Sequence, residues 1–392
     1  MIAQTPPGVE PRTSLADAVR EVAPPFLRLG TTAFGGPAAH IAMMEEEFVR
    51  RRGWLEHQEF LDMLGAASLI PGPSSTEVAI HIGHRRAGWL GLAIGGTCFI
   101  LPAMLIVLMC AWGYVHYGSL PQTQGMMYGA KPVIIAVILQ ALWNLARTAI
   151  KGAFLAIIAI AAVAGTLAGG NILAILLGAG ILAMLREQLK ERGAAGAFAV
   201  SPKVIAASVA AAAVVPVTLP HLFLLFLKFG SVVFGSGYVL LAFLQADLVG
   251  RLHWLTQSQL LDAILIGQIT PGPVFTTATF IGYLVGGVSG AIVATVGIFL
   301  PGFLFVAASR PLMPRLRRSR TAAVFLDGVN AGAVALMLAV TIQLSRAAIV
   351  DVPTGAIAAL SALILIRFKV NSAWLIFGGA AIGLAASRWI GV

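Results

Sequence analysis

Long apolar stretches alternate with short polar loops along this chain, and two of the apolar stretches are broken in the same way. Ile70-Pro71-Gly72-Pro73 interrupts one, and Thr270-Pro271-Gly272-Pro273 interrupts the other. The stretches run near 26–44, 60–83, 88–112, 129–146, 152–168 and 171–185, then 204–220 alone. They resume near 222–246, 260–283, 290–309, 323–345, 354–366 and 372–387, which predicts about 13 membrane segments. A Pro-Gly-Pro triplet cannot continue a helix, because proline has no amide hydrogen and its ring clashes with the preceding turn. Backbone groups freed at depth are tolerated in a bilayer only where they are packed in protein or line a wet cavity. Two such breaks at matched positions of two halves point to a transporter's substrate site.

The halves repeat. At a shift of 200, Phe26 falls on Phe226, Arg28 on Lys228, Gly30 on Gly230 and Phe34-Gly35 on Phe234-Gly235. The same shift superposes Trp54-Leu55 on Trp254-Leu255, Leu61-Asp62 on Leu261-Asp262 and the two Pro-Gly-Pro triplets on each other. After one deletion the shift becomes 199, pairing Gly83 with Gly282, Leu101-Pro102 with Leu300-Pro301, Gly129 with Gly328 and Arg147 with Arg346. A match over so long a stretch is a duplication.

Loop charge orients the copies. The loop at Arg85-Arg86 is basic and its partner, 284–287, is neutral. The loop 113–128 has no formal charge, whereas its partner holds Arg310, Arg315, Arg317, Arg318 and Arg320. Cytoplasmic loops collect Lys and Arg, so the copies cross the membrane with opposite polarity, as an inverted repeat. An even number of segments per copy needs one linker helix, supplied by 204–220, with the amino terminus inside and the carboxyl terminus outside. Glu45-Glu46-Glu47 and Arg50-Arg51-Arg52 lie between the first two segments, which favours re-entrant hairpins over full spans there. The expected units are a cytoplasmic leader, 1–25, with a short amphipathic helix near Leu15–Val22; a first repeat, 26–185; a connector and linker helix, 186–220; and a second repeat, 221–392.

Composition agrees. The chain is 58% hydrophobic and 11% charged, with a mean hydropathy of +0.90, against roughly 25% charged residues in soluble domains. The fold class is therefore an all-α polytopic membrane protein with two inverted-topology repeats and broken or re-entrant helices. The net charge of +10 is spread over short loops, which is a topology signal rather than a nucleic-acid patch. Residues 1–25 hold no apolar run, so no cleavable signal peptide is expected. Cys98 and Cys110 share one apolar segment, and packing is their expected role.

Phe34-Gly35-Gly36-Pro37-Ala38-Ala39-His40-Ile41, Glu46-Glu47-Phe48, Gly53-Trp54-Leu55 and Pro71-Gly72-Pro73 resemble the chromate ion transporter family. So do Phe234-Gly235-Ser236-Gly237-Tyr238 and Gln268-Ile269-Thr270-Pro271-Gly272-Pro273. The resemblance covers nearly the whole chain, as in the long-chain, two-domain members. It implies chromate export across a bacterial inner membrane and chromate resistance, with sulfate as the isosteric competitor. The partners expected are chromate, sulfate and the lipid bilayer, with a homodimer left open and neither nucleic acid nor cofactor.

A tetrahedral oxyanion needs donors around four oxygens. A half-helix after a break offers free amides and the positive end of its dipole. Gly35-Gly36 and Gly235-Ser236-Gly237 let backbone approach closely. Ser74, Ser75 and Thr76 follow the first break, and Thr276 and Thr277 follow the second. These hydroxyls are either ligands or caps that satisfy freed carbonyls. Arg28 and Lys228 are matched cations before the glycine breaks, placed to attract a dianion or to snorkel. The counterpart of Glu77 at the shift of 200 is Thr277. A carboxylate this deep is costly unless protonated or paired, so Glu77 is a proton-coupling candidate, with an ion pair to Arg85 or Arg86 as the alternative. Asp62 and Asp262 lie near segment starts and read as helix caps. His40 reads as a structural histidine or as a hairpin-lining one.

His81-Ile82-Gly83-His84 spells a synthetase nucleotide motif without its βαβ context, and as a metal pair it lacks further ligands apart from Glu77. There is no phosphate-binding loop of the Gly-Lys-Ser/Thr type, so ATP does not drive this chain. The membrane potential gives a departing dianion about 4–5 kcal/mol per 100 mV, which leaves both uniport and proton antiport open. An oxyanion channel is a rival reading. An intramembrane enzyme would need a cofactor or a nucleophile–base pair, and the sequence presents neither.

Overall fold

The computed structural model describes residues 14–191, 216–234, 237–368 and 370–390. Among these the chain is helical, without strands. In the first copy α1 is Leu15–Thr32, α2 Gly36–Glu45, α3 His57–Ala67, α4 Ser74–Tyr117, α5 Pro121–Ala149, α6 Ala153–Leu167 and α7 Ile172–Glu191. The second copy follows the same plan with α8 Leu219–Val232, α9 Leu240–Leu244, α10 Gln257–Ile269, α11 Thr277–Arg318, α12 Arg320–Ala348, α13 Val352–Phe368 and α14 Ser372–Ile390. Both α2 and α9 run on into a π-helical turn, Glu46–Arg51 and Gln245–Arg251. The linker segment 204–220 falls mostly outside the described residues.

Among the described residues, five helices are long and apolar enough to cross a membrane: the segments Ser74–Tyr117, Pro121–Ala149, Ile172–Lys190, Val274–Ser309 and Arg320–Ala348. By contrast α2 has 10 residues and α3 has 11. At 1.5 Å per residue these reach about 15–17 Å, half of a hydrocarbon core of about 30 Å.

α1 starts at Leu15 behind a Ser14 cap and runs through Pro24-Pro25. Its buried positions Ala18, Val22, Phe26 and Leu29 recur at helical spacing and press against α4. Phe26 stacks on Phe48 at 4.8 Å, and Phe48 on Trp54 at 5.0 Å. α8 packs on α11 in the same way.

The long helices α4 and α11 are each two helices joined at a kink. Ala87-Gly88 breaks α4, with Gly88 at φ +57°, and Gly286-Gly287 breaks α11, with Gly287 at φ +61°. The kinks match at the shift of 199, so the duplication extends to backbone torsions.

The copies interlock. α14 lies against α5 and α7 against α12, so the last helix of each copy packs on the long fifth helix of the other. The approach is glycine-thin: Gly129 meets the backbone of Gly379 and Gly383, and Gly328 meets that of Ala179 and Gly180. α4 also packs on α11 at the centre.

Candidate functional site

In each Pro-Gly-Pro triplet the glycine carries the one backbone N–H, since neither proline has any. Gly72 stands at φ +135° and Gly272 at φ +89°, a region that side chains disfavour. Gly72 N–H donates to Val233 O at 2.7 Å, and Gly272 N–H donates to Ala33 O at 2.9 Å. Val233 and Ala33 are the residues that cap α8 and α1. Thus each break gives its amide to the end of the broken helix in the other copy, and donors and acceptors match at the shift of 200. The two interruptions meet as a crossing.

The crossing is polar on one side and apolar on the other. After the first break α4 begins at once, and Ser74 and Ser75 hold first-turn amides with no intrahelical acceptor. His40 Nε2 donates to Ala33 O at 3.1 Å, so its Nδ1 is left to accept from Ser75 Oγ at 3.3 Å. Ala33 O therefore binds both His40 and Gly272. After the second break come Val274 and Phe275, in a 3-10 turn ahead of α11. There Thr276 donates to Pro273 O and Thr277 to Val274 O, each at 2.8 Å. Thr270 likewise donates to Ile266 O at 2.8 Å. A hydroxyl has one proton, so these three threonines spend theirs on backbone carbonyls.

Unspent polar atoms flank the breaks. Among the described residues, Thr76 Oγ1, both Glu77 carboxylate oxygens and Gln268 Nε2 are buried without a hydrogen-bond partner. Tyr238 donates to the other end of the Gln268 amide at 3.2 Å. Glu77 Oε1 fills the space where Gly72 lacks a side chain, and Gly302 of α11 lies alongside. The expected ion pair of Glu77 with Arg85 or Arg86 is not formed. Arg85 is held by Glu59 at 3.3 Å, and Arg86 by Glu21. Gly35 and Gly36 sit at φ +105° and +78°, with Gly36 facing the Tyr238 hydroxyl. Gly237 faces the Phe275 ring, while Gly235 and Ser236 lie outside the described residues.

Arg28 and Lys228 have matched partners that sequence reasoning missed. Arg28 lies 3.7 Å from Glu47, which also takes Arg51 at 3.4 Å and Arg52 at 2.6 Å. Lys228 pairs with Asp247 at 2.6 Å, and Arg251 joins at 2.9 Å. Burial works against the Glu47 charge, but Arg52, Arg51 and Arg28 outweigh it and hold the carboxyl below its ordinary value. The signal was available, since Glu47 and Asp247 fall on each other at the shift that aligns the cations. Replacing Glu47 by Gln leaves these cations uncompensated. These cations are themselves largely exposed, so the expected cost is about 1 kcal/mol, read as a lower thermal midpoint in detergent, with Asp247→Asn moving the same way. An unchanged midpoint in both variants removes the structural role.

A cavity of about 390 Å³ lies where the ends of α4, α5, α10 and α12 meet, walled by Tyr114, Gln124, Tyr128, Lys131, Ser258 and Asp262 among others. The expectation above that Asp262 is a helix cap is not met: Thr256 caps α10 in a reciprocal box with Gln259. Asp262 is buried, accepts from Tyr114 at 2.8 Å and pairs with Lys131 at 3.0 Å. The Pro-Gly-Pro residues do not line this cavity.

The comparisons with known proteins bear on this architecture. The model of the chromate transporter family matches residues 21–184 and 220–384, once per copy. The chain belongs to the chromate transporter family. Its relatives include the chromate transport protein of Cupriavidus metallidurans, 35% identical over 374 residues that cover 94% of this chain and 93% of that protein. The chromate transport protein of Pseudomonas aeruginosa is 32% identical, covering 86% of each. A probable chromate transport protein of Synechococcus elongatus is 30% identical over 86% of this chain and 88% of that protein. No solved structure matches this chain. In this family member the matched stretches begin inside α1 and end inside α14, so both breaks and both kinked helices fall within them.

Proposed function

We propose that this chain carries chromate across a bacterial inner membrane as a secondary carrier, with export as the direction and the crossing of the two breaks as the substrate site. The observation that carries the reading is the reciprocal pair of hydrogen bonds, Gly72 to Val233 and Gly272 to Ala33. Both donors sit at the junction of the copies. An oxyanion oxygen that replaces either carbonyl acquires an amide donor already aimed across the interface. The polar half of the crossing adds the Ser74 and Ser75 amides, the Thr76 hydroxyl and the Gln268 amide nitrogen as further donors. Pro71, Pro73, Pro271 and Pro273 hold the breaks open, and Gly35, Gly36 and Gly237 keep the approach narrow and unobstructed, with Gly235 and Ser236 assigned to the same site from the sequence motif alone. Thr270, Thr276 and Thr277 serve the backbone in this state and turn to the anion only if their helices rearrange. Arg28 and Lys228 act from their ion pairs, as fields that draw a dianion inward rather than as direct ligands.

The loop charges favour inverted topology, and the matched hydrogen bonds and kinks fit repeats 26–185 and 221–392 rocking about the crossing. In this reading 186–220 is the cytoplasmic connector and linker helix, 1–25 the leader, and the carboxyl terminus lies outside. Sulfate has the same shape and charge and competes. The test is labelled chromate flux into inverted membrane vesicles, with and without a proton gradient and with sulfate as competitor. Saturable chromate uptake that sulfate inhibits is the expected result. Uptake that stays linear in chromate or equals that of empty vesicles overturns the carrier.

A further inference from the structure

We infer that Lys131, in the cavity between α4, α5, α10 and α12, is a second station for the tetrahedral dianion, occupied in the resting state by Asp262 as a built-in competing anion. The inference rests on the carrier reading above but concerns a different place in the fold. Asp262 lies eight residues before Thr270, where the second break opens. That is about 12 Å along α10, so one rigid helix joins the cavity to the crossing.

The chemistry of the walls points to an anion. Lys131 Nζ meets Asp262 Oδ1 at 3.0 Å and donates to Ser258 Oγ at 2.7 Å. An ammonium has three N–H groups, so one remains for a guest. The Lys131–Asp262 contact is close but poorly aligned, and Asp262 Oδ1 makes no well-directed hydrogen bond. Tyr114 donates to the other carboxylate oxygen at 2.8 Å. Ser258, whose hydroxyl accepts from Lys131 and keeps its own proton, and Gln124 add a hydroxyl and an amide to the wall, while Tyr128 gives its proton to Asp351. Asp351 stands behind Tyr128, whose hydroxyl donates to it at 2.6 Å, and Asp262 is the one carboxylate among the lining residues. A divalent oxyanion asks for the same donors as that carboxylate and carries twice the charge.

A plain structural lock between α5 and α10 explains less. At the matched end of the molecule, position 330 is Asn where Lys131 has its counterpart, and Asp62 is exposed. The duplicated scaffold therefore stands without this cation. A lock also needs no open volume beside it, whereas this pair faces about 390 Å³. In operation the guest takes Lys131 while Asp262 keeps Tyr114, and the return of Asp262 to Lys131 expels the guest. The site thus favours passage over retention.

The test is equilibrium dialysis of labelled sulfate and of chromate against the purified full-length chain in detergent. The variants are Asp262→Asn, Lys131→Gln and the double variant, which leaves no lone buried charge if a single variant fails to fold. Removal of the competing carboxylate is expected to tighten binding on the order of tenfold in Asp262→Asn. Lys131→Gln and the double variant lose that gain and bind one equivalent fewer. Isotherms that match the wild type in all variants overturn the Lys131 station and leave the crossing site standing. A wild-type chain that binds neither anion overturns the carrier reading and this one with it.

Discussion

A valine at Gly272 is expected to abolish the folded transporter. Gly272 sits at φ +89°, where a β-branched residue is a genuine outlier and the strain costs about 1–3 kcal/mol. Its Cβ would overlap the Ala103 methyl and come 3.3 Å from Gly30 O. The backbone has to move to relieve that contact, and it then loses the amide bond to Ala33 O. Ala33 O keeps His40, but the buried Gly272 N–H left unsatisfied costs a further 1–3 kcal/mol or so. With about 1–3 kcal/mol more for the overlap with Ala103, the losses sum to roughly 3–9 kcal/mol, the order of the whole stability of an ordinary domain, about 5–15 kcal/mol. The measurement is size exclusion and thermal unfolding of the detergent-extracted protein. Gly53→Ala is the control, because Gly53 also has positive φ, +60°, but an added Cβ there meets nothing within 4 Å. That variant carries the torsional cost alone, about 1–2 kcal/mol. A Gly272→Val protein that stays monodisperse, with its midpoint within about 2 °C of wild type, removes the crossing from the structural core.

How much of this was legible in the sequence depends on what kind of physics wrote it. Proline and glycine impose backbone geometry locally, so Pro71-Gly72-Pro73 and Pro271-Gly272-Pro273 announced the breaks without a structure. The duplication then made Ala33 and Val233 equivalent, but not their roles as acceptors, because a hydrogen bond between copies leaves no trace in either copy alone. Asp262 was misread for the same reason. Near the start of an apolar stretch an acid resembles a cap, and its actual partners, Tyr114 and Lys131, are 148 and 131 residues away. Glu47 was a different failure. Its arginines lie within five residues and its counterpart Asp247 sits beside the counterpart of Arg28, so the pairing was readable from charge and register together. The hydroxyls after the breaks stand out in the sequence by type, yet only coordinates separate Thr76, which is unspent, from Thr276 and Thr277, which serve carbonyls.

The asymmetry between the two breaks has a mechanical consequence. Both amides are engaged across the interface, so neither copy can swing without disturbing the other's bond. Unspent Thr76 and Glu77 follow the first break, whereas Thr276 and Thr277 after the second serve carbonyls. A symmetric frame that carries a one-sided set of unspent groups suits a carrier whose two access states are related by pseudo-symmetry while the bound solute and any coupled proton use one polar pocket.

Replacing Glu77 by Gln tests that coupling directly. Glu77 is fully buried in the first turn of α4, and neither oxygen has a hydrogen-bond partner among the described residues. Arg85 and Arg86 are engaged by other carboxylates. A charge held at such depth without a partner is expensive, so loading and unloading a proton is the chemistry this position supports. The amide keeps the shape and can hold no exchangeable charge. The folded protein should therefore survive, with a thermal midpoint at or above that of wild type. Transport is where the loss should appear. In inverted vesicles an acid interior drives protons out and should speed chromate uptake by the wild type. Glu77→Gln should lose that acceleration and at least tenfold in rate, a difference of about 1.4 kcal/mol or more in the barrier. The two readouts separate the alternatives. A packing role predicts a less stable protein that still responds to the gradient, and that outcome would end the proton-coupling assignment. A stable protein with slow, gradient-independent flux supports it, because an uncharged isostere at that position has then removed the response to protons while leaving the fold and the anion path in place.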